Sequence, residues 1–417
     1  MNIWIFNHYA TPPDTPGSTR NYDFARELIK NGHYILIFAA SYNHRTLREE
    51  RYLGKKGYKV ENIDGVEFVW LKTCPKYIGN GLRRVLNMIS YALRIIPLGL
   101  KLTEKPDVIV ATWPHPFVGL AGWLLAKLRK ATFILQVHDL WPQTLVEIGS
   151  YSNKSPLIVT LRILEKFLYL RASKIIVLLP RAADYIVGLG IASDKIVYIP
   201  NGVSPELFSD TNVDLPVELE TAISGLKMEG KLLIVYAGAH GIANDMDTIL
   251  EAARLLQDKG LRGAYFLLVG EGPEKSRLKE VANRWALNNI GFFNPIPKKA
   301  IPGLLNACDI ASIAIKRSAL YNYGISLNKL WDYMISAKPI IWATNSINDP
   351  VTESSCGITV PPEDAGAMAE AIVMLCGMSK IERREMGLRG YDYVMKYHSI
   401  PVLAVQLLET IKEAKQR

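Results

Sequence analysis

Residues 232–250 read LLIVYAGAHGIANDMDTIL, and this stretch decides the fold class. The apolar run Leu232–Ala237 predicts a buried strand, Gly238 and Gly241 break it, and Asn244 or Asp245 then caps the next helix. The same strand–turn–helix unit recurs outward in both directions. Downstream, strands are predicted at Tyr265–Val269, Ile290–Phe293, Ile310–Ile315, Pro339–Trp342 and Gly357–Val360. Upstream they are predicted at Ile3–Phe6, Tyr34–Ala39, Asp107–Ala111, Thr132–Val137, Lys174–Leu178 and Ile196–Ile199. Helices fill the gaps, among them Thr19–Asn31, which Gly32 stops. Strands alternating with helices from end to end mark an α/β chain with parallel sheets. Tyr58–Leu71 departs from the rule and reads as a hairpin turning at Asp64-Gly65.

A chain of 417 residues suits two domains of about 200 residues each. The segment Asn201–Leu226, rich in Pro, Gly, Ser and Asp, is the expected join. The expected division is therefore 1–200 and 201–385, both Rossmann-like, followed by a helical extension over 386–417 that can cross back to the first domain.

Composition is that of a globular protein, 49% hydrophobic and 21% charged. No secretory signal is read at the start, and the apolar stretch Phe117–Ala126 is well short of the roughly 20 residues a bilayer span needs. The four cysteines are scattered without a CxxC pair, which suits thiols in a reducing cytoplasm. Residues 1–200 hold 26 Lys and Arg against 15 Asp and Glu, whereas 201–417 hold 23 against 25. A basic first half is expected to meet something anionic. No nucleic-acid module accompanies the charge, so nucleic acid is not the expected partner. A membrane surface or a phosphate-bearing acceptor fits. Within the first half, Arg83, Asn87, Ser90, Arg94, Lys101 and Lys105 recur as one narrow polar stripe on an otherwise apolar helix, which Pro97 should kink or break. Two readings stand: a mostly buried helix with a thin solvated edge, or an interfacial helix whose Arg83, Arg84, Arg94 and Lys101 meet anionic lipid.

Ligands of open α/β sheets collect at the carboxyl ends of strands. Four segments lie at such ends. The loop TPPDTPGSTR (11–20) opens a helix whose free N–H groups can take a phosphate, with Gly17 in its tight entry. FILQVHDLWPQ (133–143) sets His138 and Asp139 directly after a strand, where a histidine can equally be a core residue tied to a carbonyl. In 235–250, Gly238 and Gly241 let a ligand approach the backbone and His240 can donate to phosphate. Asp245 and Asp247 could invite a metal, but two carboxylates at a helix start are more simply caps. In YGISLNKLWDYMISAKPII (323–341), Ser326 is the expected N-cap, so Asn328 and Lys329 fall in the first turn. Lys329 would add a full charge to the N–H groups holding a diphosphate, and Asp332 could accept from ribose hydroxyls. The competing reading is a Lys329–Asp332 neighbour pair along the helix.

Together these segments resemble the retaining glycosyltransferases of family four, which have the GT-B fold of two Rossmann-like domains facing across a cleft. The resemblance spans nearly the whole chain and is carried by KIIVLLPRAADYIVGLGIASDKIVYIPNGVSPELF (174–208) and the series LLIVYAG, LLVGEGPE, ACDIAS, KPII and GITVPPED. HDLWP and SLNKLWDYM are similar to the subgroup that builds bacterial surface polysaccharides, amino-deoxysugar transferases included. The resemblance implies that His138 contacts the donor sugar and that Gly17 lies near the diphosphate and acceptor. It places Gly270, Glu271 and Gly272 near the nucleotide and Asp332 at the second acid of the family's E-x7-E motif. Three departures follow: the first acid of that motif would fall at Gly324, and the arginine and lysine of the phosphate clamp at Ala239 and Asp245. Lys329, His240 and backbone N–H groups are expected to take over the diphosphate.

The implied activity is transfer of a sugar, with retention, from a nucleotide-diphosphate donor to a lipid-linked or oligosaccharide acceptor, without cofactor or metal. The implied place is the cytoplasm, peripheral to the inner face of the cell membrane. A nucleotide-sugar 2-epimerase of the same fold, or a non-catalytic nucleotide-sugar-binding partner, are the alternatives. An NAD enzyme is disfavoured because no GxGxxG follows the opening strand.

Overall fold

The computed structural model describes residues 1–15, 17–79, 81–113, 115–147, 151–209 and 214–416. The chain divides into two compact units, Met1–Asn201 with Ile400–Arg417, and Gly202–Ser399.

The first unit carries an eight-stranded sheet made of β1 (Asn2–Phe6), β2 (Tyr34–Ala40), β3 (Tyr58–Ile63), β4 (Val66–Leu71), β5 (Val108–Trp113), β6 (Thr132–Val137), β7 (Lys174–Val177) and β8 (Ile196–Tyr198). Their order is β8-β7-β6-β5-β1-β2-β4-β3, parallel throughout except for the β3–β4 hairpin. That hairpin turns at Asp64 and Gly65, both at positive φ, as the Asp-Gly pair demands. The winding direction reverses between β1 and β5, so the loops after these two strands splay apart at a switch point.

Alternation along β1 shows why its run is apolar on both faces. Ile3 and Ile5 pack with α1 (Arg20–Lys30) and the C-terminal helix, while Trp4 and Phe6 meet Phe38 on the opposite face. That second face is covered by α2 (Leu82–Lys101), α3 (Pro116–Arg129) and α4 (Pro156–Arg171), with α3 lying between the other two. Gly99 and Gly122 allow the close approach: a Cβ at Gly99 would stand 2.3 Å from Leu125, and one at Gly122 2.8 Å from the Ala111 methyl.

Two expectations about α2 are corrected. The helix is not broken at Pro97, which lies about one turn before its end. The polar stripe is also a solvated edge only at its ends, where Arg83, Lys101 and Lys105 are exposed, and not in its middle. Asn87 is fully buried and donates to Thr73 Oγ1 (3.0 Å) and the Pro75 carbonyl (2.8 Å), and Ser90 Oγ accepts from the Cys74 N–H (2.9 Å). These residues point inward because the loop 73–75 has backbone groups to satisfy. The solvent side is apolar instead, with Leu82, Leu86 and Leu93 exposed.

The second unit carries a six-stranded parallel sheet of β9 (Leu232–Ala237), β10 (Ala264–Val269), β11 (Ile290–Phe293), β12 (Ile310–Ala314), β13 (Ile340–Ala343) and β14 (Gly357–Val360). The order β11-β10-β9-β12-β13-β14 places its switch point between β9 and β12. Helices α5 (Met246–Asp258) and α6 (Asn328–Ile335) follow β9 and β12 in the chain. The expected extension 386–417 divides: α7 (Lys380–Tyr397) packs on α6 within the second unit, and only α8 (Ile400–Gln416) joins the first. There α8 lies along α1, and Lys174 pairs with Glu413 at 2.7 Å.

Candidate functional site

In the second unit, two βα loops meet backbone to backbone. A Cβ on Gly270 would stand 1.8 Å from the Gly238 carbonyl oxygen, and one on Gly272 2.3 Å from that of His240. The sequence folds this way because only glycine permits such approach. The His240 N–H donates to the Glu271 carbonyl (2.9 Å), and Lys275, itself buried, donates to the carbonyls of Gly270 (2.8 Å) and Phe293 (3.0 Å). Glu271 is exposed, and the Gly272 N–H with Lys275 holds its carboxylate below the usual range.

Lys329 enters this loop cluster from α6. Its Nζ donates to Tyr236 Oη (2.7 Å) and Asn244 Oδ1 (2.9 Å), two neutral acceptors, and lies 4.2 Å from the Tyr236 ring centre. Gly238 makes the room, since a Cβ there would sit 2.9 Å from Nζ. An ammonium group therefore stands at the carboxyl end of β9, on the first turn of α6, and a cation at a helix N-terminus is an arrangement suited to a diphosphate. Asp332 is buried one turn further on and pairs with Lys298. The Lys329–Asp332 neighbour pair does not form, because each side chain leaves the helix for a different loop.

Other expected residues are placed differently. The position before α6 is Leu327, not Ser326, and no side chain caps it. Asn328 is exposed in the first turn, and Gly241 is half-buried at the start of a short turn leading to α5. The His240 ring is fully buried, with Nε2 facing Gly270 and no hydrogen bond to either nitrogen. Burial and then the Lys275 cation pull it down to about 4, so it is neutral and does not reach a surface phosphate. Asp247 is not a cap but receives both guanidinium nitrogens of Arg277 at 2.8 and 2.7 Å. Asp245 occupies the cap position at φ 40°, yet its carboxylate accepts from Thr248 Oγ1 (2.6 Å) and makes no cap hydrogen bond. Among the described residues no group of three or more His, Cys, Asp or Glu is arranged to hold a metal ion. Gly324, where the first E-x7-E acid would fall, has φ 99°, a conformation that favours glycine and strains a carboxylate-bearing residue.

The first unit gathers its polar residues at its own switch point. His8 follows β1 and His115 follows β5; His8 Nδ1 and His115 Nε2 share a hydrogen bond at 3.0 Å, and both rings are buried. Burial holds both well below the usual histidine range, His115 at about 3. His138, the first residue past β6, is half-buried, and burial with the nearby Arg20 cation lowers it to about 3. Asp139 has solvent exposure, though partial desolvation raises its carboxyl. Arg20 opens α1 and donates to the Ile199 carbonyl (2.9 Å) and to that of Pro200, and burial lowers it to about 9. Gly17 lies against Thr11, whose Oγ1 would stand 2.3 Å from an added Cβ; residue 16 of this loop is outside the described residues. Arg83 and Lys101 are exposed at the two ends of α2, and Arg84 and Arg94 are half-buried.

Sequence reasoning missed His8, His115, Arg20, Lys275 and Lys298. His8 carried the same signal that singled out His138, a histidine just past a strand. Lys298 carried none, since it is 34 residues from Asp332.

The model of Glycosyltransferase Family 4 matches residues 17–207, and that of Glycosyl transferases group 1 matches 231–377. A glycosyl transferase assigned to colanic acid biosynthesis in Escherichia coli, WcaI, is 26% identical over 330 residues, covering 76% of this chain and 78% of its own. Among solved structures, sucrose-phosphate synthase from Thermosynechococcus elongatus superposes with a TM-score of 0.74 at 17% identity, over 98% of this chain and 97% of the other. Anabaena HepE, solved in complex with UDP and glucose, gives 0.68 at 15% identity over 99% of each chain. Both structural likenesses establish the two-domain α/β architecture of GT-B glycosyltransferases.

Proposed function

The chain belongs to glycosyltransferase family 4, and from that premise we propose that it transfers a sugar, with retention, from a nucleotide-diphosphate donor to a lipid-linked glycan during bacterial surface polysaccharide synthesis. The observation that carries the donor reading is the Lys329 ammonium, which emerges beside Gly238 at the end of β9. In this reading the diphosphate lies against Lys329 and the first N–H groups of α6, and Asp332, with Lys298 beside it, accepts from the ribose. The missing first acid and clamp are replaced by backbone donors and one lysine, so protein groups rather than a divalent ion neutralise the leaving diphosphate. His138 stays uncharged and meets the donor sugar as a hydrogen-bonding partner. Retention follows if the acceptor attacks the same face that the diphosphate leaves, and catalysis then rests on orientation and on stabilising the leaving group. The UDP held by HepE and the polysaccharide role of WcaI support the donor class and the pathway class. The basic first half and the cations of α2 support work at the inner face of the cell membrane.

Calorimetry with UDP tests the donor site. Lys329→Ala should weaken binding by about 1.5–3 kcal/mol, the range for hydrogen bonds to charged groups. Unchanged affinity in a folded variant overturns the assignment.

A further inference from the structure

The helix layer on the first unit has an unusual outer surface. On α2, Leu82 is 73% exposed and Leu93 64%; on α3, Leu128 is 52% exposed; on α4, Ile163 is 67% and Leu170 53% exposed. These positions belong to neighbouring helices, because α3 lies between α2 and α4. Apart from Glu165, every charged residue of the three helices is Lys or Arg, and Glu165 is fully buried. Between α3 and α4, Trp123 and Phe167 meet edge to face at 4.9 Å, with Lys127 over the first ring at 5.9 Å and Arg171 over the second at 5.3 Å. Trp beside long cationic side chains is the combination that suits a lipid interface, the ring amphipathic and the cation reaching outward from an apolar stem.

We propose that the outer face of α2, α3 and α4 inserts shallowly into a bilayer containing anionic lipid. The proposal rests on the lipid-linked reading of the acceptor and extends it from four cations on one helix to an apolar surface spread over three. Charge alone would adsorb the protein at headgroup distance and release it as salt screens the attraction. Buried apolar side chains add a part that salt does not remove. The absence of exposed acids on these helices selects an anionic surface. No helix among the described residues is long and apolar enough to cross a membrane, so the contact lies in the interface plane.

The test is co-sedimentation of the full chain with vesicles of phosphatidylglycerol and phosphatidylcholine, and of phosphatidylcholine alone, at low and high salt. The wild type should prefer the anionic vesicles and keep part of its binding at high salt. The combined variant Leu93→Gln, Leu128→Gln and Ile163→Gln should lose at least about tenfold of that salt-resistant partition while melting at an unchanged temperature. Brominated acyl chains should quench tryptophan emission, and Trp123→Phe should lose that component. Equal salt-resistant partition of variant and wild type, or no quenching, overturns insertion. A wild-type dimer that the same three substitutions dissociate would put a second copy on this face and also overturn it. UDP affinity is measured on the same samples: vesicle binding without UDP affinity sinks the transferase reading and leaves the surface, and the reverse sinks the surface alone.

Discussion

The switch points of the two sheets are built alike but differ in what they bury and what they leave charged. In the first unit the loops after β1 and β5 bring His8 and His115 into direct contact, and burial strips both of charge, while His138, just past β6, is held low by burial and the nearby Arg20. In the second unit the loop after β9 is nearly all backbone, squeezed by glycines, with the Lys329 ammonium delivered into it by α6. Desolvated imidazoles suit neutral hydrogen bonding, whereas exposed N–H groups with a fixed cation suit a phosphate.

Acid should separate the two units most strongly. A histidine whose folded pKa is lowered contributes stability that is present above about 6.5 and is lost as pH falls toward the folded value, at up to about 1.4 kcal/mol per pH unit and group. His8, His44, His115 and His138, all lowered, fall in the first unit, and His240 is lowered in the second. Hydrogen exchange between pH 7 and about 5 should show several kcal/mol lost from β1 and β5, against roughly 1–2 from β9. Equal losses would erase the contrast. Glu165 opposes this trend, since burial raises it to about 7 despite the Tyr169 and Tyr185 hydroxyls that donate to it. An acid raised in the folded state loses stability as pH climbs from about 4.5 to 7, so Glu165→Gln should raise the melting temperature at pH 8 more than at pH 5.

Gly270→Ala should cost about 3 kcal/mol, the upper end for overpacking, because its methyl has only the Gly238 carbonyl to displace. A melting temperature within about a degree of wild type would mean that the two loops can part to admit a methyl group. Asp332→Asn should weaken UDP binding by about 1–2 kcal/mol while leaving affinity for inorganic pyrophosphate unchanged; parallel losses on both probes would detach Asp332 from the ribose. The smallest expected effect is none: activity should survive dialysis against EDTA, and a loss restored by Mg²⁺ would return Asp245 and Asp247 to consideration as ligands.

The strands were legible to within a residue or two, because parallel strands buried on both faces read as uninterrupted apolar runs. Gly32, Gly65 and the hairpin at Asp64 were equally plain, since positive φ leaves few alternatives. The stripe on α2 is only half legible because polarity suggests exposure, whereas Asn87 and Ser90 are polar to serve the loop 73–75. His240 misled in the same way, a titratable residue in a glycine-rich loop that is sealed beneath that loop.

What the sequence determined by itself is local: the order of strands and helices, the glycines where backbone must approach backbone, the basic balance of residues 1–200, and the position of Lys329 at the start of its helix. What the tertiary structure decided is partnership. Lys298 reaches Asp332, Arg277 reaches Asp247, Lys329 reaches Tyr236 and Asn244, and His8 reaches His115, each across tens of residues. Periodicity and turn chemistry act over a few residues and leave a trace in the sequence, whereas a side chain's charge state and exposure depend on neighbours that only the folded sheet brings together.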